Sequence, residues 1–129
     1  MKRACAILLL LAAPTVSRAQ ENGATTETKY ADVQAERGAS AFRVNCQSCH
    51  TSKQFAGPAF EKARSGQPLF ELFEQIRTAM PQDEPGRLTR QEYADIIVYL
   101  LKENAYPAGG EEIPATDEAL KKYRFRKTQ

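Results

Sequence analysis

Apolar and polar positions alternate along this chain with helical periods, and four segments stand out. From Ala31 to Asn45 a stripe of Val33, Arg37, Ala41 and Val44 or Asn45 predicts a helix, with Phe42 following Gly38 at a spacing of four. Gly38 costs about 1 kcal/mol relative to alanine inside a helix. Its expected use is therefore a close helix–helix approach, the alternative being a helix start capped by Ser40. Residues 51–67 carry turn signals at Gly57-Pro58 and Gly66 and read as a loop. Pro68 is well placed as the first residue of the next helix. There Leu69, Leu72, Phe73, Ile76 and Ala79 or Met80 make one apolar face, and Pro81 stops it. Residues 82–87 form a loop around Pro85-Gly86. Thr89 and Glu92 make a capping box that opens the clearest helix, residues 90–104, with Tyr93, Ile96, Ile97, Leu100 and Leu101 as its buried face. Asn104 and Pro107 end it, and Gly109-Gly110 predicts a flexible turn. A short last helix is expected after Thr116, including Ala119, Leu120 and Tyr123. No stretch alternates as a strand does, so the expected class is all-α with long loops.

The first residues change the bookkeeping of charge. Lys2 and Arg3, the apolar run Ala6–Ala13 and the small residues around Ala19 have the layout of a secretory signal peptide cleaved after about Ala19. The apolar run is too short for an uncleaved anchor, which needs roughly 20 residues. No transmembrane segment is expected in the mature chain. The expected organisation is a signal peptide over 1–19, a flexible lead-in over 20–30, one domain over 31–106 and an extension over 107–129. Cleavage removes three of the 18 basic residues and none of the 16 acidic ones, so the formal +2 becomes about −1. That balance gives no support for nucleic-acid binding. Lys121, Lys122, Arg124, Arg126 and Lys127 crowd the C-terminus; such a run reads as a solvated tail, or alternatively as a docking patch for an acidic partner or an anionic surface.

Cys46-Gln47-Ser48-Cys49-His50 carries the chemistry. C-x-x-C-H is the attachment pattern of c-type haem. Cysteines at i and i+3 share one side of a helical turn and can both reach the vinyl edge of a porphyrin, while His50 faces the iron. One covalent haem c is therefore expected. The competing readings are a Cys46–Cys49 disulfide, a thioredoxin-like pair, which belongs in a βαβ context absent here, and a zinc site, which needs four ligands. His50 is the only histidine, and Met80 is the only methionine left after cleavage. Met80 is thus the expected distal axial ligand opposite His50, and a thioether there raises the haem potential as an electron carrier requires. Core filling by Met80, or an open sixth position for a gas or peroxide, are the alternatives. A carbonyl in the Gly57-Pro58 loop could accept the other ring N–H of His50.

Across roughly 32–104 the chain resembles the class I c-type cytochromes. Gly38 and Phe42 ahead of CQSCH are similar to that family's N-terminal helix, AGP at 56–58 to its proximal loop, AMP at 79–81 to its methionine loop, and YADIIVYLL at 93–101 to its C-terminal helix. The resemblance implies three to five helices wrapped around one haem, first and last helices crossing near Gly38, and the Pro58 carbonyl accepting from His50. The stretch from Met80 through Gly110 is similar to cytochromes associated with periplasmic quinoprotein dehydrogenases. Thr51 stands where many relatives have glycine, and the short interval between His50 and Met80 implies an exposed haem edge. The expected function is a periplasmic one-electron carrier, not an enzyme, between redox partner proteins: a dehydrogenase donor and an oxidase or other acceptor. A haem subunit of a larger oxidoreductase and a five-coordinate, ligand-binding or peroxidatic protein are the alternatives.

Overall fold

A computed structural model describes residues 27–127; the signal peptide and residues 20–26 of the lead-in lie outside them. The described residues form five helices: α1 (Asp32–Asn45), α2 (Pro58–Arg64), α3 (Leu69–Ala79), α4 (Arg90–Glu103) and α5 (Asp117–Lys122), with a 3₁₀ turn over Ser52–Phe55. Among them there is no strand, only two isolated bridges. The class is all-α.

Local chemistry sets most boundaries. The Thr89 side chain accepts from the Glu92 N–H while the Glu92 carboxylate returns to the Thr89 N–H, so the capping box is complete. Thr116 caps α5 by accepting from the Ala119 N–H. Pro68 caps α3 in an extended conformation, one position ahead of the helical start expected for it. The expected loop at residues 51–67 instead holds the 3₁₀ turn and α2, which opens where Gly57 takes φ 86° and Pro58 supplies a preset φ at the first helical position.

α1 crosses α4 at Gly38. A Cβ built there would lie 1.8 Å from the Asp95 carbonyl oxygen and 2.9 Å from the Tyr99 Cβ, so the close approach depends on glycine. The buried face of α1 is Gln34, Ala35, Gly38 and Phe42. This corrects the stripe expected from Val33, Arg37, Ala41 and Val44, since Val33 is 54% and Val44 75% exposed. The reason lies at the far end of the chain. The Gln34 amide donates to the Ile113 carbonyl at 2.9 Å and accepts from its N–H at 2.8 Å, so a polar side chain is buried without loss. Arg37 sits beside that face as a bridge. Its guanidinium donates to Asp95 on α4 at 2.9 Å and to both carboxylate oxygens of Glu112 at 2.7–2.8 Å. Asp95 can therefore occupy the buried side of α4; Gln91 donates to it as well, at 2.7 Å.

The C-terminal residues are a strap, not the solvated tail that their charges suggest. Ile113, Leu120 and Phe125 are buried, each such side chain contributing about 2 kcal/mol by area alone. The Thr28 N–H donates to the Arg126 carbonyl, the Gly110 N–H to Tyr30, the Leu69 N–H to Tyr123 and the Phe125 N–H to Gln67, all at 2.9–3.0 Å. Thr28 and Tyr30 are buried under it, so this end of the lead-in is fixed in place. Gly110 lies against the Lys29 backbone, where a Cβ would come within 2.8 Å, so the expected flexible turn is a packed one. Three of the five basic side chains are used within the molecule: Arg124 donates to the Gly66 carbonyl, Lys127 pairs with Glu61, and Lys121 stands over the Phe70 ring.

Tyr106, at the start of the strap, packs its ring against Phe125. Burial, and then the nearby Glu61 carboxylate, push its hydroxyl up to about 12; burial raises Tyr30 as well. The folded chain holds these phenol protons more tightly than the unfolded chain, where tyrosine titrates near about 10. Their contribution is present below that value and is lost as pH rises through the folded one. Urea denaturation of the parent is expected to show stability falling between about pH 10 and 12, and Tyr106→Phe should flatten that slope.

Candidate functional site

One large cavity opens between α1, α3 and α4. Its volume is about 820 Å³, within the roughly 300–1,000 Å³ range of small-molecule and cofactor sites. Its walls are mostly apolar, built from Phe42 on α1, Phe60 on α2, Leu72 and Ile76 on α3, Leu88, and Ile96 and Leu100 on α4. Cys46, Cys49, His50 and Met80 all line it. Residues 50 and 80 are thus brought to a single chamber although they lie thirty positions apart in the sequence.

The attachment motif continues the end of α1. The Cys46 N–H donates to the Phe42 carbonyl at 2.8 Å, and the Cys49 and His50 N–H groups return to the Cys46 carbonyl at 3.1 and 2.9 Å. This extra turn carries both cysteines and the histidine together. Cys46 is half-buried and Cys49 exposed, and both are free thiols, not a disulfide. Burial raises the Cys46 thiol, against the weaker opposing pull of Arg87. A thioredoxin-like pair needs the reverse, a stabilised thiolate. Among the described residues no group of three or more His, Cys, Asp or Glu side chains is arranged to hold a metal ion. The His50 ring stands edge-on to Phe55, with centroids 5.3 Å apart, and Phe55 in turn stands edge-on to Phe42 at 6.3 Å.

Met80 reaches the same cavity from the end of α3. It ends α3 in an extended conformation, with its N–H still donating to the Ile76 carbonyl at 2.8 Å. It is 36% exposed, unusual for methionine, because its side chain faces the cavity. The expected face of α3 accordingly divides: Leu69, Leu72 and Phe73 are buried in protein, while Ile76, Ala79 and Met80 line the chamber. Pro58 is the first residue of α2, between the lining residues Phe55 and Phe60.

Two side chains hold these segments, Tyr93 on α4 and Asn104 at its C-cap; from the sequence they are expected only as part of the helix's buried face and as its end. The Tyr93 hydroxyl donates to the Met80 carbonyl at 2.7 Å from an almost fully buried position. Asn104 reaches the loop after His50: its Oδ1 accepts from the Gly57 N–H at 3.0 Å and its Nδ2 donates to the Phe55 carbonyl at 2.8 Å. A buried tyrosine or a polar helix end needs a partner, so the need was visible, but the carbonyls that meet it were not. Arg64, Asp83 and Arg87 are the charged residues of the lining, beside the polar Asn45, Ser48, Gln75 and Gln82.

The donor set fits a covalent haem. Two thiols share one turn, and an imidazole and a thioether line the same largely apolar chamber. Comparison with known sequences agrees: the family described as cytochrome c oxidase, cbb3-type, subunit III matches residues 33–100, more than half of the chain. No curated protein and no solved structure matches it.

Proposed function

The chain belongs to the family described as cytochrome c oxidase, cbb3-type, subunit III, and on that premise we propose that it is an exported single-haem carrier of the class I type, passing electrons from a periplasmic dehydrogenase to an oxidase or another acceptor. It is a c-type cytochrome, its cofactor is covalently bound haem c, and its work is electron transfer. The haem supplies a one-electron couple. In this proposal Cys46 and Cys49 tether it by thioethers, His50 and Met80 hold the iron from opposite sides, and the Pro58 carbonyl orients His50. The single observation that carries the reading is the shared chamber of His50 and Met80 between walls of Phe42, Ile76, Ile96 and Leu100. Those walls would shield most of the group from water, and the charged lining residues Arg64, Asp83 and Arg87 are suited to a redox encounter. Transient encounters of this kind use small interfaces. The proposed boundaries are a signal peptide over 1–19 and a cytochrome domain from residue 31, with the strap as its extension.

The family's description favours a second reading, a fixed subunit of an oxidase complex. No helix of the described residues is long and apolar enough to cross a membrane. Stoichiometric co-purification with membrane-bound oxidase subunits would favour the subunit over the carrier.

Cys46→Ala and Cys49→Ala test the attachment. Each variant is expected to keep at most one thioether, seen as a shifted reduced α band in the pyridine haemochrome spectrum and a lower yield of holoprotein. Two intact thioethers in either variant would sink the motif's role.

A further inference from the structure

α4 ends on a side chain that does more than stop a helix. Asn104 is 3% exposed. Its Nδ2 donates to the Leu100 carbonyl at 2.8 Å, which is enough to close the last turn. The same amide also donates to the Phe55 carbonyl at 2.8 Å and accepts from the Gly57 N–H at 3.0 Å. Both ends of a buried amide are thus satisfied by backbone nearly fifty residues away, an arrangement costly to disturb. The segment it grips has no ladder of its own: Ala56 is extended and Gly57 is left-handed at φ 86°. That segment flanks the imidazole. The Phe55 ring stands edge-on to His50, and Gly57 leads directly into Pro58.

We propose that Asn104 is a positioning residue for the His50 imidazole, fixing its ring plane by pinning Phe55 and Gly57. The inference rests on His50 as the iron's axial ligand. An axial histidine is ordinarily oriented by what surrounds its ring; here the surrounding segment is itself held by one amide on a different helix. A natural control lies next to it. The Ser52 hydroxyl donates to the Glu103 carboxylate at 2.7 Å, tying the same loop to the same helix end, but at an exposed position and without gripping Phe55 or Gly57.

The experiment uses the purified ferric holoprotein and its Asn104→Leu and Ser52→Ala variants. Two quantities are read by NMR: the shifts of the haem methyls, whose spread follows the plane of an axial imidazole, and the exchange of the Gly57 amide with solvent. Asn104→Leu is expected to redistribute the methyl shifts and to abolish slow exchange at Gly57, while Ser52→Ala leaves both as in the parent. A folded Asn104→Leu protein with the parent's methyl pattern overturns the proposal, and so does a Ser52→Ala protein that changes the pattern as much. Should Asn104→Leu fail to fold, the parent decides: a protected Gly57 amide supports the proposal and a freely exchanging one overturns it. A parent whose ferric electron-paramagnetic-resonance spectrum lacks an imidazole-ligated low-spin signal defeats the reading of His50 itself, before any variant is made.

Discussion

Gly38→Ala is expected to lose about 3 kcal/mol of stability, the upper end of what overpacking costs, and to shift the urea midpoint accordingly. The added Cβ meets backbone, not a side chain that can swing aside. The Asp95 carbonyl oxygen would lie 1.8 Å away and its carbon 2.5 Å, so α1 and α4 must separate. Separation cannot be local. Arg37, one residue before Gly38, is tied to Asp95 and Glu112, and Phe42, one turn on, packs its ring 5.5 Å from Tyr99. Because Phe42 also lines the cavity, the same change should lower the fraction of chains that mature with haem. Against a typical total of roughly 5–15 kcal/mol, a loss of this size is large enough to measure in the isolated holoprotein. An unchanged midpoint would mean that the two helices do not cross at Gly38.

Met80→Ala should leave the fold nearly intact and change the redox chemistry. The backbone at this position is held independently of the side chain, by the Ile76 carbonyl on one side and the Tyr93 hydroxyl on the other. What disappears is the thioether facing the chamber. A thioether opposite histidine favours the reduced iron. Its removal is therefore expected to lower the potential by on the order of 0.2 V, within the span of about 0.8 V that axial ligation commands. Voltammetry reads the shift, and the weak far-red absorption of a thioether–ferric bond should vanish with it. An unmoved potential would reduce Met80 to a piece of cavity wall. A parent protein that binds carbon monoxide readily, without that far-red band, would instead favour the five-coordinate alternative.

What the sequence made legible was short-range. Thr89 with Glu92, the three-and-four repeat from Leu69 to Ile76, and CQSCH each depend on neighbours a few positions apart; the capping box appears as read, and the repeat forms its helix with the face divided between core and chamber. The buried face of α1 was misread because the partner that permits Gln34 to be buried is Ile113, 79 residues away. α2 escaped notice because its seven residues hold only two turns, and its Phe60 faces the cavity and Phe125 instead of forming a stripe. The strap escaped for the same reason as Asn104. Their bonds are to backbone carbonyls and amides, which every residue carries, so no residue type advertises them.

The strap also sets the order of events during folding. Thr28 bonds the carbonyl of Arg124, 96 positions later, and Phe125 closes over Gln67 and Phe60. Helical proteins whose contacts are local fold fast; those that must join distant parts of the chain fold more slowly. In a chain made from its N-terminus onward, the wall behind Phe60 stays unsupported until the last residues arrive. Cys46 and Cys49 are complete long before that, on a turn that needs only Phe42. On this contact pattern the thiols are in place before the chamber is fully backed, and deleting the strap should leave that backing incomplete.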